Sequence, residues 1–165
     1  MVTDNLPWSL AIEAWIPALV RAKIPLLGIC YGHQLLGRAM GGQVDFHPSG
    51  REVGTVQISK TAAGCVDPLF KELPKRFQAH ATHAQSVLAL PSESILLAEN
   101  DFEAHHAFRI GPCAWGVQFH PEYNSHVMRD YLHKQEKLLT EAGQDVTALS
   151  QEICETPAAS ASRTA

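Results

Sequence analysis

The segment Gly28-Ile29-Cys30-Tyr31-Gly32-His33-Gln34 constrains this chain more than any other. It follows the apolar run Pro25-Leu26-Leu27-Gly28-Ile29 and leads into Leu35-Leu36-Gly37-Arg38-Ala39-Met40, helical in character and stopped by Gly41-Gly42. A buried strand, a tight turn and a helix, with Gly two residues to each side of the turn residue, make the nucleophile-elbow pattern with Cys in place of Ser. The turn strains the backbone of Cys30, and side chains at the flanking glycines are expected to clash as strand and helix pack closely. The helix start then directs its free N–H groups at the sulfur, which favours a thiolate and offers the N–H of Tyr31 as an oxyanion donor. A lone G-x-C-x-G also describes an apolar cysteine buried at a strand end, so the functional reading needs a second element.

That element is a base with an orienting acceptor. Of nine histidines, His120 stands out: Trp115-Gly116-Val117-Gln118-Phe119 reads as a strand, and His120-Pro121-Glu122 follows it. Pro121 ends the ladder, while residues two apart project to the same side, so His120 and Glu122 share a face. Past a strand's carboxyl end they fall on the edge where open parallel sheets place their sites, the same edge as the elbow.

Elsewhere the pattern is that of one α/β domain. At 165 residues, 45% hydrophobic and 18% charged, the chain is sized and composed for a single packed core. Asp4 or Asn5 caps a helix with Pro7 in its first turn and an apolar stripe of Leu10, Ala11, Ala14, Trp15 and Leu19. Partial alternation predicts strands over 53–60, 76–82, 94–98, 104–110 and 114–119. A helix over 125–142, ended by Gly143, lies on a sheet face through Val127, Met128, Tyr131, Leu132, Leu138 and Leu139. Residues 1–142 form the domain. Residues 143–165 are expected to be a weakly ordered tail, with one weak helix over 148–154 before a frayed end.

Taken together, the motifs resemble those of class I, or triad-type, glutamine amidotransferases. Gly28 to Gln34 is similar to the family's nucleophile segment, and Gly116-Val117-Gln118-Phe119-His120-Pro121-Glu122 to its other hallmark, with His120 90 residues after Cys30. Gly50 to Val56, Ala81 to Val87 and Ala107 to Gly111 are similar to the subgroup resembling the amidotransferase part of GMP synthase. The resemblance implies a three-layer, flavodoxin-like fold with a mostly parallel sheet flanked by helices. It implies that Cys30 attacks the side-chain amide of glutamine, that His120, oriented by Glu122, moves the protons, and that ammonia leaves. Gln34 matches a residue that holds the glutamine, and Thr82, His83 and Ala84 match a segment lining the pocket, largely by backbone. Gln85 stands where an acidic residue is frequent. Family members carry a further N-terminal segment with the first strands and a loop donating a second oxyanion N–H, so the chain reads as N-terminally truncated.

The net charge of −4 excludes a basic field for nucleic acid or an anionic membrane surface, and no apolar stretch nears the ~18 residues of a membrane span. The N-terminus does not read as a secretory signal, which predicts a cytoplasmic protein. Cys30, Cys65, Cys113 and Cys154 are too scattered for a zinc knuckle or a disulfide scaffold. His80, His83 and the pair His105-His106 raise a metal site, against which strand geometry sends neighbouring histidines to opposite faces. No cofactor is called for. Without a P-loop or other synthetase motif, any ammonia acceptor belongs to a separate synthetase partner. Cleavage of γ-glutamyl peptides by the same triad and a non-catalytic binding or regulatory remnant are the alternatives. Arg51 and Glu52 read either as lining the pocket mouth or as an exposed ion pair.

Overall fold

The computed structural model describes residues 1–156. After a 3-10 turn (Val2–Asp4) and helix α1 (Pro7–Arg21), the run following Pro25 forms strand β1 (Leu26–Ile29), and the elbow turns it into helix α2 (Tyr31–Ala39). Then come β2 (Gln43–Phe46), β3 (Glu52–Lys60), α3 (Ala62–Val66), β4 (Arg76–His83), β5 (Gln85–Ala89), β6 (Ser94–Glu99), β7 (Ala107–Ile110) and β8 (Ala114–Val117). Helices α4 (Ser125–Lys134), α5 (Glu136–Glu141) and α6 (Val146–Glu152) complete the described chain.

Six strands form one sheet in the order β1-β8-β7-β6-β3-β4, and β2 pairs with β5 in a separate ribbon. Successive residues of β7 enter opposite cores: Ala107 packs with Ile58, Phe77, Leu97 and Phe119, whereas Phe108 packs with Ile16, Leu35, Leu36 and Val87. That alternation is the signature of a sheet covered on both faces. The three-layer α/β class holds, but the sheet is mixed rather than mostly parallel: only β1 with β8 is parallel, and β8-β7, β7-β6, β6-β3 and β3-β4 run antiparallel. For β6-β7 and β7-β8 the reason is spacing. A parallel return needs a crossover of about a dozen residues or more, and the links from β6 to β7 and from β7 to β8 are too short for one.

Two helices sit differently from their sequence expectation. Helix α1 starts at Pro7 with Leu6 as its N-cap, because Asn5 adopts a left-handed conformation (φ 52°) and Asp4 pairs with the N-terminal amine. Its buried stripe is Ser9 and Ile16, flanked by Glu13 and Val20, so Leu10 and Trp15 face outward, Trp15 at 61% exposure. The predicted single helix over 125–142 breaks at Gln135 into α4 and α5, and Gly143 (φ 79°) ends α5 as expected. The segment expected to be weakly ordered instead packs over 143–156. Helix α6 is capped by Asp145, and Ile153 is buried with Val53, Met128, Leu132 and Leu139, the apolar surface that an isolated reading of the tail leaves uncounted. The predicted frayed end at 157–165 lies outside the described residues.

The elbow depends on two glycines that are partners in the β1–β8 register, Gly28 and Gly116. A Cβ on Gly28 would sit 2.4 Å from the Gly32 carbonyl oxygen, and one on Gly116 2.8 Å from His33 Nδ1. Both empty positions therefore receive the first turn of α2. Gly32 differs from expectation, since a Cβ there meets nothing within 4 Å. Gly28→Ala and Gly32→Ala should accordingly move stability in opposite directions. The first is expected to cost roughly 1–3 kcal/mol or more by overpacking against backbone, and the second to be neutral or to gain up to about 1 kcal/mol from helix propensity. Urea denaturation of the two variants measures both.

Candidate functional site

Cys30 is the N-cap of α2 and holds φ 47°, ψ −96°, a conformation that side chains rarely adopt. Its N–H donates to the Val117 carbonyl at 2.8 Å, tying the elbow to the end of β8. The N–H of Tyr31 lies in the first turn of α2, where amides have no intrahelical acceptor. Gln118 Nε2 lies 3.5 Å from Cys30 Sγ, and the Thr82 carbonyl oxygen 4.0 Å from it. Gln118 sits inside the second motif, but its link to the sulfur is set by the parallel register of two strands.

His120 follows β8 on the same carboxyl edge as Cys30. Its backbone N–H donates to the His80 carbonyl at 2.7 Å, which fixes the ring over the elbow. Nδ1 meets Glu122 Oε1 at 2.7 Å, and the ring stacks on Tyr123 with centroids 4.2 Å apart. Nε2 is buried and makes no hydrogen bond of full geometry among the described residues. Burial works to lower the pKa of His120, but the Cys30 sulfur and the Glu122 carboxylate outweigh it and raise the pKa to about 9. For Glu122, burial acts upward, and the hydrogen bond with His120 outweighs it and holds the carboxyl below its ordinary range. His33 contrasts with this pair. Wholly buried against Phe108, it is pushed down to about 3 by burial and carries no charge at neutral pH.

Cys30, Tyr31, Gln34, Thr82, His83 and Ala84 all line one cleft of about 140 Å³. The structure thus brings every pocket residue expected from sequence to the elbow, with roles that separate on inspection. Thr82 Oγ1 is buried without a hydrogen-bond partner among the described residues. Gln34 turns its Nε2 into the wall, donating to the Gln85 carbonyl at 2.6 Å and to Gln118 Oε1 at 3.1 Å. The Gln85 amide faces the N-terminal turn: its Oε1 accepts from Val2 N–H at 2.9 Å and its Nε2 donates to Thr3. An acidic side chain could not make that second bond.

The His83 ring points away from the cleft into a buried polar cluster that sequence reasoning missed. Its Nε2 meets Glu52 Oε2 at 2.9 Å and its Nδ1 the Gln85 carbonyl at 3.1 Å. His106 Nε2 lies 3.1 Å from the same Glu52 oxygen, and Asn100 donates to the other at 2.7 Å. Burial acts to raise the pKa of Glu52, but these three partners outweigh it and hold the carboxyl well below the carboxylate range. The Arg51-Glu52 ion pair considered from sequence is absent, because the two side chains leave the chain on opposite sides and Glu52 is the inward one. Among the described residues, no group of three or more His, Cys, Asp or Glu is placed to hold a metal ion, and no helix is long and apolar enough to cross a membrane.

Two variants probe these charges. In unfolded chain a histidine titrates near 6.5. The stabilisation from His120 is therefore complete below that pH and is lost as pH rises through about 9. Denaturation midpoints should fall between those values in the parent protein and fall less in His120→Ala. Glu52→Gln presents an amide N–H₂ to the Asn100 amide donor or to the neighbouring histidine rings. It is expected to destabilise by about 1–3 kcal/mol, the cost of mispairing a buried polar group, read by thermal unfolding at neutral pH.

Against known proteins, the family model described as glutamine amidotransferase class-I matches residues 9–138. The chain is 35% identical over 124 residues to the GMP synthase [glutamine-hydrolyzing] subunit of that description from Methanocaldococcus jannaschii, covering 70% of this chain and 63% of that one. To GMP synthase [glutamine-hydrolyzing] of Cytophaga hutchinsonii it is 36% identical over 107 residues, 64% of this chain and 20% of that one. Among solved structures, a glutamine amidotransferase from Thermotoga maritima superposes with a TM-score of 0.76 at 24% identity, over 90% of this chain and 62% of that one. One from Methylobacillus flagellatus superposes at 0.73 and 26% identity, over 82% and 53%. The chain thus spans between one fifth and two thirds of the length of these proteins.

Proposed function

The chain belongs to the class-I glutamine amidotransferase family, and from that premise we propose that it hydrolyses the side-chain amide of glutamine with Cys30, His120 and Glu122, releasing ammonia. The observation that carries the reading is the meeting of a strained cysteine at a helix start with a histidine that keeps its proton to about pH 9 between that sulfur and a carboxylate.

In this scheme the Cys30 sulfur attacks the amide carbon, and the C=O electron pair moves onto oxygen, which the Tyr31 N–H receives. As the C–N bond breaks, His120 gives its Nε2 proton to the departing nitrogen, leaving ammonia and a γ-glutamyl thioester. Water then gives a proton to His120 and attacks the thioester carbon. The C–S bond breaks, glutamate leaves, and the imidazolium–sulfur pair is restored. Glu122 holds Nδ1–H throughout, which keeps Nε2 aimed at the chemistry. Gln34, Thr82, His83 and Ala84 lie beside Cys30 around one cleft, which supports a glutamine pocket there.

The acceptor of the ammonia is proposed to be a separate synthetase protein. The archaeal relative, by its name one subunit of a GMP synthase, supports this. The cytoplasm is the proposed compartment, in keeping with four cysteines that are all free thiols.

Ammonia release from glutamine should fall by on the order of a thousandfold or more in Cys30→Ser and in His120→Ala. A diazo-oxo-norleucine adduct should form once per chain, on Cys30. Turnover that survives Cys30→Ser, or a folded parent protein that neither turns over nor is labelled, would overturn the reading. Preference for γ-glutamyl dipeptides over glutamine would transfer the same residues to peptide cleavage.

A further inference from the structure

Beside Cys30 the cleft holds a cation with no anion paired to it among the described residues. Arg51 is the residue before β3, and because side chains alternate, the inward turn of Glu52 sends Arg51 to the cleft. Among the described residues its polar partner is the Tyr131 hydroxyl, 3.5 Å from Nη1, a neutral group at the limit of hydrogen bonding. Among the described residues no carboxylate lines the cleft, and Arg51 forms no ion pair. The other amine at the rim, that of Met1, is paired with Asp4. A guanidinium carries five N–H donors in a planar fork that suits a carboxylate. Thr82, which also lines the cleft, has a buried hydroxyl without a hydrogen-bond partner among the described residues.

We propose that Arg51 is a specificity-determining residue that binds the α-carboxylate of the substrate while Cys30 engages the side-chain amide. The assignment rests on the glutamine-hydrolysis reading for the identity of its ligand. It narrows the substrate class to γ-amides of glutamate that keep a free α-carboxylate, which includes glutamine and γ-glutamyl peptides and leaves out glutamine α-amide. A charged two-point contact of this kind holds the substrate equally before and during reaction, so its loss appears in KM more than in kcat.

The test compares L-glutamine with L-glutamine α-amide as substrates of the parent protein, Arg51→Met and Arg51→Lys. Arg51→Met is expected to raise KM for glutamine about tenfold to a hundredfold, the range for a lost hydrogen bond to a charged group, with kcat changed far less. Its activity on the α-amide should stay within about threefold of the parent, and Arg51→Lys should recover part of the preference for glutamine. Equal losses on both substrates would assign Arg51 a structural role, and unchanged ratios would assign it none. Either result overturns the proposal.

A second arm needs no turnover. Calorimetric binding of L-glutamine to Cys30→Ala should be lost or weakened at least tenfold in Cys30→Ala with Arg51→Met. Undiminished binding in the double variant, or no binding in either, overturns the proposal. Arg51-dependent binding beside a parent protein that hydrolyses nothing would sink the hydrolysis reading while leaving the carboxylate site in place.

Discussion

The structure turns on a close approach between a helix and a sheet. Gly28 and Gly116 lie side by side in the parallel pair β1–β8, and the space their missing side chains leave is filled by Gly32 and His33 in the first turn of α2. A helix resting at ordinary distance above a sheet would leave Cys30 with freedom to relax. Sunk into this notch, the elbow holds Cys30 at positive φ, and the Cys30 N–H bonds back to β8. The strain at one residue is sustained because the packing around it is dense, backbone against Gly28 and the His33 and Phe108 rings against Gly116, with little room to yield. The same parallel pair sets Gln118 and then His120 beyond the end of β8, so one contact positions both sides of the candidate site.

Two of the pairings of histidine with glutamate among the described residues have different consequences. Between His120 and Glu122 the carboxylate is half exposed, one ring nitrogen is held, and the other is left unpaired beside a sulfur. Around Glu52 the carboxylate is buried, and His83, His106 and Asn100 converge on its two oxygens. The first pair retains a ring nitrogen that can exchange a proton with a ligand. The second has its carboxylate fully engaged and acts as an anchor: it pins the ring of His83 and leaves the backbone of Thr82, His83 and Ala84 as the cleft wall. Solvent access and the number of partners, rather than residue type, separate a group that moves protons from one that holds a loop.

The surface of α1 carries a different consequence of the same packing. Its inward stripe is narrow and includes Ser9, which accepts a hydrogen bond from the Tyr31 hydroxyl at 2.9 Å, and Glu13, which pairs with Arg38 on α2. Polar contacts across the α1–α2 seam thus brace the elbow helix from behind. The cost is that Trp8, Leu10, Ile12 and Trp15 stay exposed. At the opposite end of the chain, apolar residues of α4, α5 and the segment after α6 close over Val53 at the start of β3. That packing steadies the strand whose first residues deliver Glu52 inward and follow Arg51 at the cleft.

Local chemistry carried much of this protein in its sequence. An apolar run, a Gly-x-Cys-x-Gly turn and a helical stretch point to a strand-to-helix elbow, and a His-Pro-Glu after a strand places acid and base two residues apart on one side. Those readings depend on neighbours within a few residues, whose relative positions the backbone dictates. The direction of strand pairing, the face of α1 that turns inward, the fate of 143–156, the Glu52 cluster and the isolation of Arg51 were decided elsewhere. Each depends on which distant segments compete for the same buried surface, as Glu52 meets His83, Asn100 and His106 from three other parts of the chain. Chain order does not encode such contacts one by one. Burial does, since a charged group removed from water must find every partner it needs in the folded interior.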